Sequence, residues 1–493
     1  MLTRLKVNGF KNLVNVDVRF GPFTCIAGSN GVGKSNLFDA IRFLSALSRV
    51  TLLEAAKEVR GGKTVDVREL FHRIGDTYGA EMSFDAEMIV PSTGEDDLGQ
   101  QAKASTTFLR YSLILGYRSQ DNGLEIRREE LVHVKKGEVR RNILFEYSKE
   151  WLDSAVIGRR TAPYISTQPN PQGGNLIMLH ADRGESSAGK PAPRLAHTLP
   201  RTLLQAANAA EYRTPVIARQ EMQSWRLLQL EPSALREPDD FNAPSRLSEQ
   251  GAHLPAMLHR LAQHDEKRVY ETAANRLSEL IAEVREIGID RDEKRELLTL
   301  WAKGEDGTPH TARSLSEGTL RFLALAVLEQ DPDSPGVLCL EEPENGIHPE
   351  RIPAMIKLLK DIAVDTQYAL DEGNPLRQVI INTHSPSVVG QVDDADLIAA
   401  TSQEVVREGH RFKGVVFRTL PGTWRAQEVA ARDLLPRSVL MAYLDLFKMP
   451  ANGSAALPPA PGTPTINGKR AAAPQRVIDR ADIQQILHFE YGK

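Results

Sequence analysis

Apolar and polar side chains alternate along residues 1–20, with a break at Asn8 and Gly9. A period of two is typical of β-strands, so this segment predicts two short strands joined by a turn. A mostly apolar run from Phe23 to Ala27 then leads directly into a glycine-rich loop, Gly28 to Ser35. The apolar residues of positions 34–47 recur at helical spacing. The pattern therefore predicts two strands, a buried strand, a glycine loop and a helix.

The same alternation predicts antiparallel strands in three further segments, residues 80–90, 107–117 and 124–134. Residues 164–200 are instead rich in Pro, Gly, Ser and Asn, which predicts a long loop or a partly ordered insertion. Helical spacing returns from Val269 to Ile287, and the segment from His253 to Leu261 could pair with this helix.

The last third of the chain begins with strands and ends in a linker. Two short apolar runs, residues 335–342 and 378–383, are typical of buried parallel strands. Residues 449–475 are rich in Pro, Ala and Gly and predict a flexible linker, and residues 476–493 predict a short tail helix. Such a helix is either a peripheral element without a binding role or an element that docks a partner, and the pattern leaves both open.

The composition is that of a soluble globular protein. The chain has 493 residues, of which 41% are hydrophobic and 26% charged, and its net charge is −4. This small net charge does not indicate nucleic-acid binding, although a local basic groove remains open. No secretory signal and no membrane-spanning apolar run are visible, so we expect a cytoplasmic protein with no membrane partner. Cys25 and Cys339 lie in apolar runs, which predicts buried free thiols.

The glycine loop carries the clearest chemistry. Gly28 to Ser35 matches the pattern G-x-x-x-x-G-K-S between a predicted strand and a predicted helix. Glycines let backbone N–H groups converge on phosphate oxygens, Lys34 adds positive charge, and the Ser35 hydroxyl can ligate Mg²⁺. We therefore expect ATP and Mg²⁺ as ligands. The candidate ATP-binding residues of this loop and helix are Gly28, Asn30, Gly31, Gly33, Lys34, Ser35 and Asn36.

Paired carboxylates end the apolar strand at Gly336 to Glu342. Glu341 can hold Mg²⁺ through water, and Glu342 can orient and polarise an attacking water. The plainer interpretation is a strand that ends in solvated acids, and the phosphate loop argues against it. Two more motifs follow the same logic: Ser314 to Arg321 before a predicted helix, and His384 at the end of a buried strand.

The order of these motifs resembles the ATPase heads of the ABC superfamily. Phosphate loop, Leu-Ser-Glu-Gly-Thr, Leu-Glu-Glu-Pro-Glu and Thr-His-Ser follow one another as in heads of the RecF, SMC and OLD types. Gly9 to Asn12 resembles their N-terminal Gly-Phe-Lys-Asn segment, where the basic residue lies near the nucleotide, so Lys11 and Asn12 join the candidate ATP-binding residues. The resemblance covers roughly residues 1–60 and 225–420.

The resemblance implies an α/β fold: an ABC-type P-loop ATPase head with an antiparallel β subdomain and a helical insertion. Two heads would pack head to tail, so that Ser316, Glu317 and Gly318 of one chain close over the ATP on Lys34 of the other. It also makes Glu342 the catalytic base, places His384 beside the γ-phosphate, and gives Ser35 and Glu341 to the metal. Glu341 stands where Asp is usual. A glutamine loop is not identifiable, although residues 68–72 occupy a plausible place.

These assignments predict five segments. They are the N-terminal half of the head (1–150), an insertion with loops and helices (151–300), the C-terminal half of the head (301–448), the linker (449–475) and the tail helix (476–493). The chain shows neither the Toprim nuclease domain of OLD nucleases nor the long heptad run of SMC arms. Asp394-Ala-Asp396 matches the Asp-x-Asp pattern of a Toprim motif but precedes a strand of the head.

Three hypotheses about function follow. The first is an ATPase of bacterial antiphage defence, similar to Septu-type proteins, that forms a homodimer or higher even assembly and controls a separately encoded effector, often a nuclease. The second is a RecF-like repair ATPase that binds DNA as an ATP-dependent dimer. The third is a nucleotide sensor with negligible turnover.

Overall fold

The computed structural model describes residues 1–60, 66–158, 160, 162–182, 192–281, 284–407, 410–436, 438–440 and 475–480. Strands are numbered β1 to β22 and α-helices α1 to α11 along the chain. None of the helices in this part of the chain has the length and apolar character that a membrane crossing requires.

An eight-stranded antiparallel sheet carries the N-terminal alternating strands. Its order is β13-β12-β11-β10-β9-β6-β1-β2. The bounds are β1 Leu2–Asn8, β2 Val16–Arg19, β6 Glu81–Ile89, β9 Phe108–Arg118, β10 Gly123–His133, β11 Ile165–Pro169, β12 Asn175–Leu179 and β13 Arg194–Leu195. The alternating runs at residues 1–20, 80–90, 107–117 and 124–134 therefore form strands as predicted.

A six-stranded sheet of order β14-β19-β20-β3-β21-β22 forms the second layer. Its first five strands are parallel, and β22 returns antiparallel to β21. The bounds are β3 Phe23–Ala27, β14 Arg226–Leu228, β19 Gly336–Glu341, β20 Arg377–Thr383, β21 Leu397–Arg407 and β22 His410–Thr419. The apolar runs near residues 335–342 and 378–383 are thus neighbouring parallel strands, as predicted.

The remaining strands form three small sheets. They are β4 Arg73–Ile74 with β5 Thr77–Tyr78, β7 Thr93–Glu95 with β8 Gln101–Lys103, and a group of β15 Asp239–Asp240, β16 Glu286–Asp292, β17 Leu297–Lys303 and β18 Pro309–Thr311. The helices are α1 Lys34–Leu47, α2 Leu52–Arg60, α3 Val139–Asn142, α4 Lys149–Ala155, α5 Arg213–Gln223, α6 Pro232–Leu235, α7 Leu254–Ala262, α8 Glu266–Leu280, α9 Glu317–Glu329, α10 Ile352–Ile362 and α11 Pro386–Gln391.

The parallel sheet is buried on both faces. Along β19, Val337 and Cys339 pack into the cluster that contains α1, whereas Leu338 and Leu340 pack into the cluster that contains α9 and α10. Burial on both faces explains why these strands are continuously apolar rather than alternating. Cys25 and Cys339 are free and buried, as expected. The α/β fold class with an antiparallel subdomain is confirmed.

Of the two alternatives for residues 164–200, a long loop or a partly ordered insertion, the long loop is wrong for the described part of that segment. β11 and β12 form a hairpin that extends the antiparallel sheet, and the N–H of Asn170 donates to the carbonyl of Gly174 at its tip, 3.0 Å away. The Pro, Gly and Asn residues that suggested a loop mark this tight turn. Buried Ile165 and Ile177 supply the apolar face of the hairpin.

Two further expectations need correction. The predicted helix from Val269 to Ile287 ends at Leu280, because the chain enters β16 at Glu286. Within the predicted insertion 151–300, β14 is an outer strand of the parallel sheet, and α5 packs on α1. This part of the insertion therefore belongs to the core of the head.

Most of the predicted linker and tail helix lies outside the described residues. The described piece, residues 475–480, makes a single 3₁₀ turn at Val477–Asp479. Val477 is fully buried, and Arg480 pairs with Asp394 at 2.7 Å. This piece is docked on the head.

The buried carboxyl of Glu129 should make the stability of the antiparallel sheet depend on pH. Its oxygens accept hydrogen bonds from the backbone of Leu203 and Leu204 and from the Tyr111 hydroxyl. Burial, partly offset by these bonds, raises its pKa to about 7. Because this value exceeds that of the unfolded chain, the protonated folded form is favoured at low pH, and stability is lost as pH rises to about 7.

We expect the free energy of unfolding of the native chain to fall by up to about 3 kcal/mol more between pH 4 and 8 than that of Glu129→Gln. Denaturant unfolding followed by circular dichroism at several pH values measures this difference. The exposed Glu81→Gln is the control. Equal pH dependence in the native chain and Glu129→Gln would contradict the expectation.

Candidate functional site

The glycine loop joins β3 to α1 and needs glycine for steric reasons. Gly31 and Gly33 have φ of 76° and 115°, a region that side chains with a Cβ avoid. A Cβ on Gly33 would lie 2.4 Å from the Asn12 amide nitrogen, and one on Gly28 would lie 2.7 Å from the carbonyl of Ala400. The loop is therefore pressed between two other segments of the head.

Lys34 begins α1 and is nearly buried, with 6% of its surface exposed. Its ammonium donates to the carbonyls of Gly28, at 2.5 Å, and Ser29, at 3.0 Å. Burial lowers the pKa of Lys34, and nearby carboxylates, first Glu342, oppose this shift. The ammonium is thus held against the loop with its charge only partly balanced, which favours an anionic ligand.

The Gly-Phe-Lys-Asn segment braces the phosphate loop from behind. The Asn12 side chain donates to the carbonyl of Val32 at 3.2 Å and accepts from the Asn36 amide at 2.8 Å. Lys11 forms an ion pair with Asp39 on α1. Lys11 and Asn12 line a cavity beside the loop, here called the second cavity. This second cavity shares Asn36 with the cleft that the phosphate loop borders.

Glu341 lies at the carboxyl end of β19 and is held by two amides. Gln229, directly after β14, donates to one oxygen at 2.6 Å, and Asn382 on β20 donates to the other at 3.3 Å. Because the three strands are parallel, their carboxyl ends meet at one edge of the sheet. Both amides leave acceptor capacity on the carboxylate for a cation or water.

Glu342 follows with an unusual backbone, φ 45°. Its backbone N–H donates to the Asn382 side chain at 3.2 Å, Asn345 donates to its carboxylate at 3.0 Å, and the His384 Nδ1 lies 2.6 Å from the other carboxylate oxygen. A non-glycine residue in this region costs on the order of 1 kcal/mol, so its persistence marks a conformation that its neighbours impose.

The pKa of Glu342 lies below its ordinary value. Burial, the largest influence, acts to raise it, but the hydrogen bonds from Asn345 and His384 and the charges of His384 and Lys34 together outweigh burial. The carboxylate is therefore ionised at neutral pH and able to accept a proton or a hydrogen bond from water. The structure brings Glu342 and His384 together, as the sequence predicts.

These elements enclose a cleft of about 590 Å³. One wall comes from the phosphate loop and α1, and the other from the ends of β14, β19 and β20. Among the candidate residues it is lined by Asn30, Gly31, Gly33, Lys34, Ser35, Asn36, Glu341 and Glu342. Gly28, Lys11, Asn12 and His384 lie behind or beside this lining.

The lining fits a triphosphate with Mg²⁺. The Ser35 hydroxyl and the Glu341 carboxylate face the same cleft, and Mg²⁺ prefers one or two such oxygen ligands completed by phosphate and water. The described residues contain no cluster of three or more His, Cys, Asp or Glu side chains that would hold a metal alone. The donor set therefore fits a cation that arrives with the nucleotide.

The signature residues Ser316, Glu317 and Gly318 lie outside the lining of this cleft. Ser316 caps α9: its hydroxyl accepts from the Thr319 backbone at 3.2 Å. A Cβ on Gly318 would lie 2.2 Å from the carbonyl of Gly346. The close approach that this glycine permits is thus to a loop of its own chain, which the sequence interpretation did not anticipate.

The cleft lining also includes residues that motif reasoning missed, among them Gln229, Arg321, Asn345 and Asn382. Gln229 donates to the Glu341 carboxylate, whereas none of residues 68–72 lines the cleft. Asn382 and Gln229 lie at or just after strand ends, which is the one sequence signal that could have found them. Asp394 and Asp396 pair with Arg480 and Lys360 and are structural.

The fold and the cleft define the class of protein, an α/β head with a P-loop, the phosphate-binding glycine loop between a strand and a helix. The chain belongs to the family described as "AAA domain, putative AbiEii toxin, Type IV TA system", whose model matches residues 23–152 and 194–390.

Curated relatives match over short stretches. The DNA replication and repair protein RecF of Porphyromonas gingivalis is 44% identical over 46 residues, 9% of this chain and 13% of that protein. RecF of Paenarthrobacter aurescens is 44% identical over 48 residues, 10% of this chain and 12% of that protein. The matches thus cover 13% or less of the relatives' length.

Solved SMC heads are similar at low identity. An SMC head bound to the C-terminal winged-helix domain of ScpA is 14% identical with a TM-score of 0.43, over 85% of this chain and 98% of that chain. The SMC head domain from Thermotoga maritima is 14% identical with a TM-score of 0.36, over 84% of this chain and 98% of that chain.

Gly318→Ala tests the contact between α9 and the loop at Gly346. Because the added methyl group meets a backbone oxygen, the helix start or the loop must shift, and we expect a loss of about 1–3 kcal/mol in stability. Thermal unfolding measures it. Gly373→Ala, in an exposed loop where a Cβ meets no atom closer than 3.4 Å, should change little. Equal melting temperatures for the two variants would argue against the contact.

Proposed function

We propose that the chain hydrolyses ATP to ADP and phosphate with Mg²⁺. The observation that carries this proposal is the cleft in which Lys34 and Ser35 face Glu341 and Glu342. A cation and phosphate-binding N–H groups on one side, and ionised carboxylates on the other, are what phosphoryl transfer to water needs. The membership of a family of AAA domains supports the same conclusion.

In this mechanism each residue has one task. The loop N–H groups and Lys34 hold the β- and γ-phosphates. Lys11, Asn12 and the second cavity lie toward the adenine of the nucleotide. Ser35 and Glu341 would hold Mg²⁺, and the charge of the ion would neutralise phosphate charge. Glu342 orients the attacking water and accepts its hydrogen bond, while His384 fixes the carboxylate beside the γ-phosphate.

We infer that the active form is a homodimer or a higher even assembly. The cleft of one chain is not lined by its own signature residues, and one chain carries one copy of each motif. The start of α9 carries the partial positive charge of a helix N-terminus and is suited to face phosphates on a second chain. Ser316, Glu317 and Gly318 would then complete the partner's site.

The biological role that we propose is control of a separately encoded effector, such as a nuclease, in bacterial defence, inside the cytoplasm. The family description names a toxin of a two-part toxin–antitoxin system, which fits a division of labour between chains. A RecF-like role on DNA is the second candidate, because the curated matches are RecF proteins. Turnover that gapped duplex DNA stimulates, with steep salt dependence, would favour this second role.

Substitutions of Lys34 and Glu342 should separate binding from hydrolysis. Lys34→Ala removes the ammonium group that binds the phosphates, so ATP affinity should fall at least about tenfold. Glu342→Gln keeps the shape but removes the base, so turnover should fall about 10²–10⁴-fold with affinity retained. Fluorescent-nucleotide binding and phosphate release measure the two quantities, and the exposed Glu293→Gln is the control. Background turnover in the native chain would leave only the nucleotide-sensor role.

A mixing experiment tests the shared site. Lys34→Ala and Ser316→Arg should each be inactive alone. In a mixed dimer one of the two sites combines an intact phosphate loop with an intact signature, so an equal mixture should recover about a quarter of native turnover if dimers form at random and sites act independently. Mass measurement with and without ATP reports the assembly. An inactive mixture that demonstrably contains mixed dimers would contradict the composite site.

A further inference from the structure

We propose that Arg321 is a positioning residue that sets the geometry of Glu342 through Asn345. It would thereby couple the signature helix α9 to the residue that orients water in the same chain. This inference deepens the proposed function and rests on it.

Arg321 joins three segments of the cleft with one side chain. It lies on the first turns of α9 and lines the cleft. Its Nε donates to the carbonyl of Leu230, 2.9 Å away, in the segment after β14. Its Nη1 donates to the carbonyl of Asn345, 2.5 Å away, in the loop after β19. A planar guanidinium can satisfy two fixed acceptors at once, so it fixes the distance between these segments.

Asn345 passes this placement on to Glu342. Its side-chain amide donates to the Glu342 carboxylate at 3.0 Å, and its backbone N–H donates to the Glu342 carbonyl at 3.1 Å. The second bond closes a turn whose first residue, Glu342, has φ 45°. The Arg321 bond to the Asn345 carbonyl therefore holds the outer end of a turn whose inner end is the candidate base.

A second contact makes α9 and this loop one unit. Gly318, three residues before Arg321, lies against Gly346, the residue after Asn345. The helix thus touches the loop at two consecutive residues, one through packing and one through a charged hydrogen bond. A displacement of the helix start must move Asn345 or break both contacts.

A plain structural role for Arg321 would give a different result. If the side chain only anchors α9, its loss would lower the melting temperature and act independently of Asn345. If it acts through Asn345, the two substitutions should not add, because removing either breaks the same path.

A double-mutant cycle on the full chain decides between these roles. Arg321→Gln, Asn345→Ala, the double variant and the exposed control Arg295→Gln are compared by steady-state ATP turnover, with ATP binding and thermal unfolding alongside. Arg321→Gln and Asn345→Ala should each lower kcat about 10–100-fold and change KM less than about threefold. The kcat of the double variant should match the kcat of the less active single variant within about threefold.

A second variant guards against loss of folding. Arg321→Lys keeps the charge and the apolar stem but cannot present two donors in a plane, so it should fold normally and still show the lowered kcat with KM nearly unchanged. Multiplicative losses in the double variant, or a native kcat in Arg321→Lys, would overturn the coupling while native turnover stands. Absence of turnover in the native chain would overturn the proposed function and this inference together.

Discussion

The site depends on the parallel register of β14, β19, β20 and β3. Leu228 pairs with Leu340, Glu341 with Asn382, and Thr383 with Ala27. This register makes four connections leave the sheet at one edge: the segment of Gln229, the acidic turn, the His384 turn and the phosphate loop. Residues more than 300 positions apart in the chain therefore meet at the carboxyl ends of neighbouring strands. A slip of one residue would turn every strand-end side chain to the other face.

Gathering these charges has an electrostatic cost that the same edge offsets. Burial acts against the charge of Lys34, and the carboxylates opposite support it. The support is mutual, since the charge of Lys34 also helps to keep Glu342 ionised. Glu344, deeper in the same turn, is different: burial raises its pKa, and the Thr383 hydroxyl donates to it. Neighbouring acids thus acquire different proton affinities from the balance of burial, hydrogen bonds and nearby charges at each carboxyl.

The local pattern of the sequence was sufficient for the strand and the helix that flank the phosphate loop. β3 and α1 run from Phe23 to Ala27 and from Lys34 to Leu47, where the apolar spacing places them. The partners of Glu341 and Glu342 were not readable, because Gln229 and Asn382 reach them from 112 and 41 residues away. The β11–β12 hairpin was missed because turn residues dominated its composition, and only pairing with β10 shows that the flanking residues are strands.

The signature motif shows why a motif can carry two constraints at once. Gly318 is needed by contact with Gly346 inside its own chain, whatever the second chain does. In the proposed assembly the same helix start would face the partner's phosphates. The partner's nucleotide would then contact a helix that is already packed against the Glu342 turn. Packed contacts shift between discrete arrangements rather than deforming smoothly. Closure over one nucleotide would then be felt at the other site, because the surface that completes the partner's cleft and the turn that holds the base belong to one rigid unit.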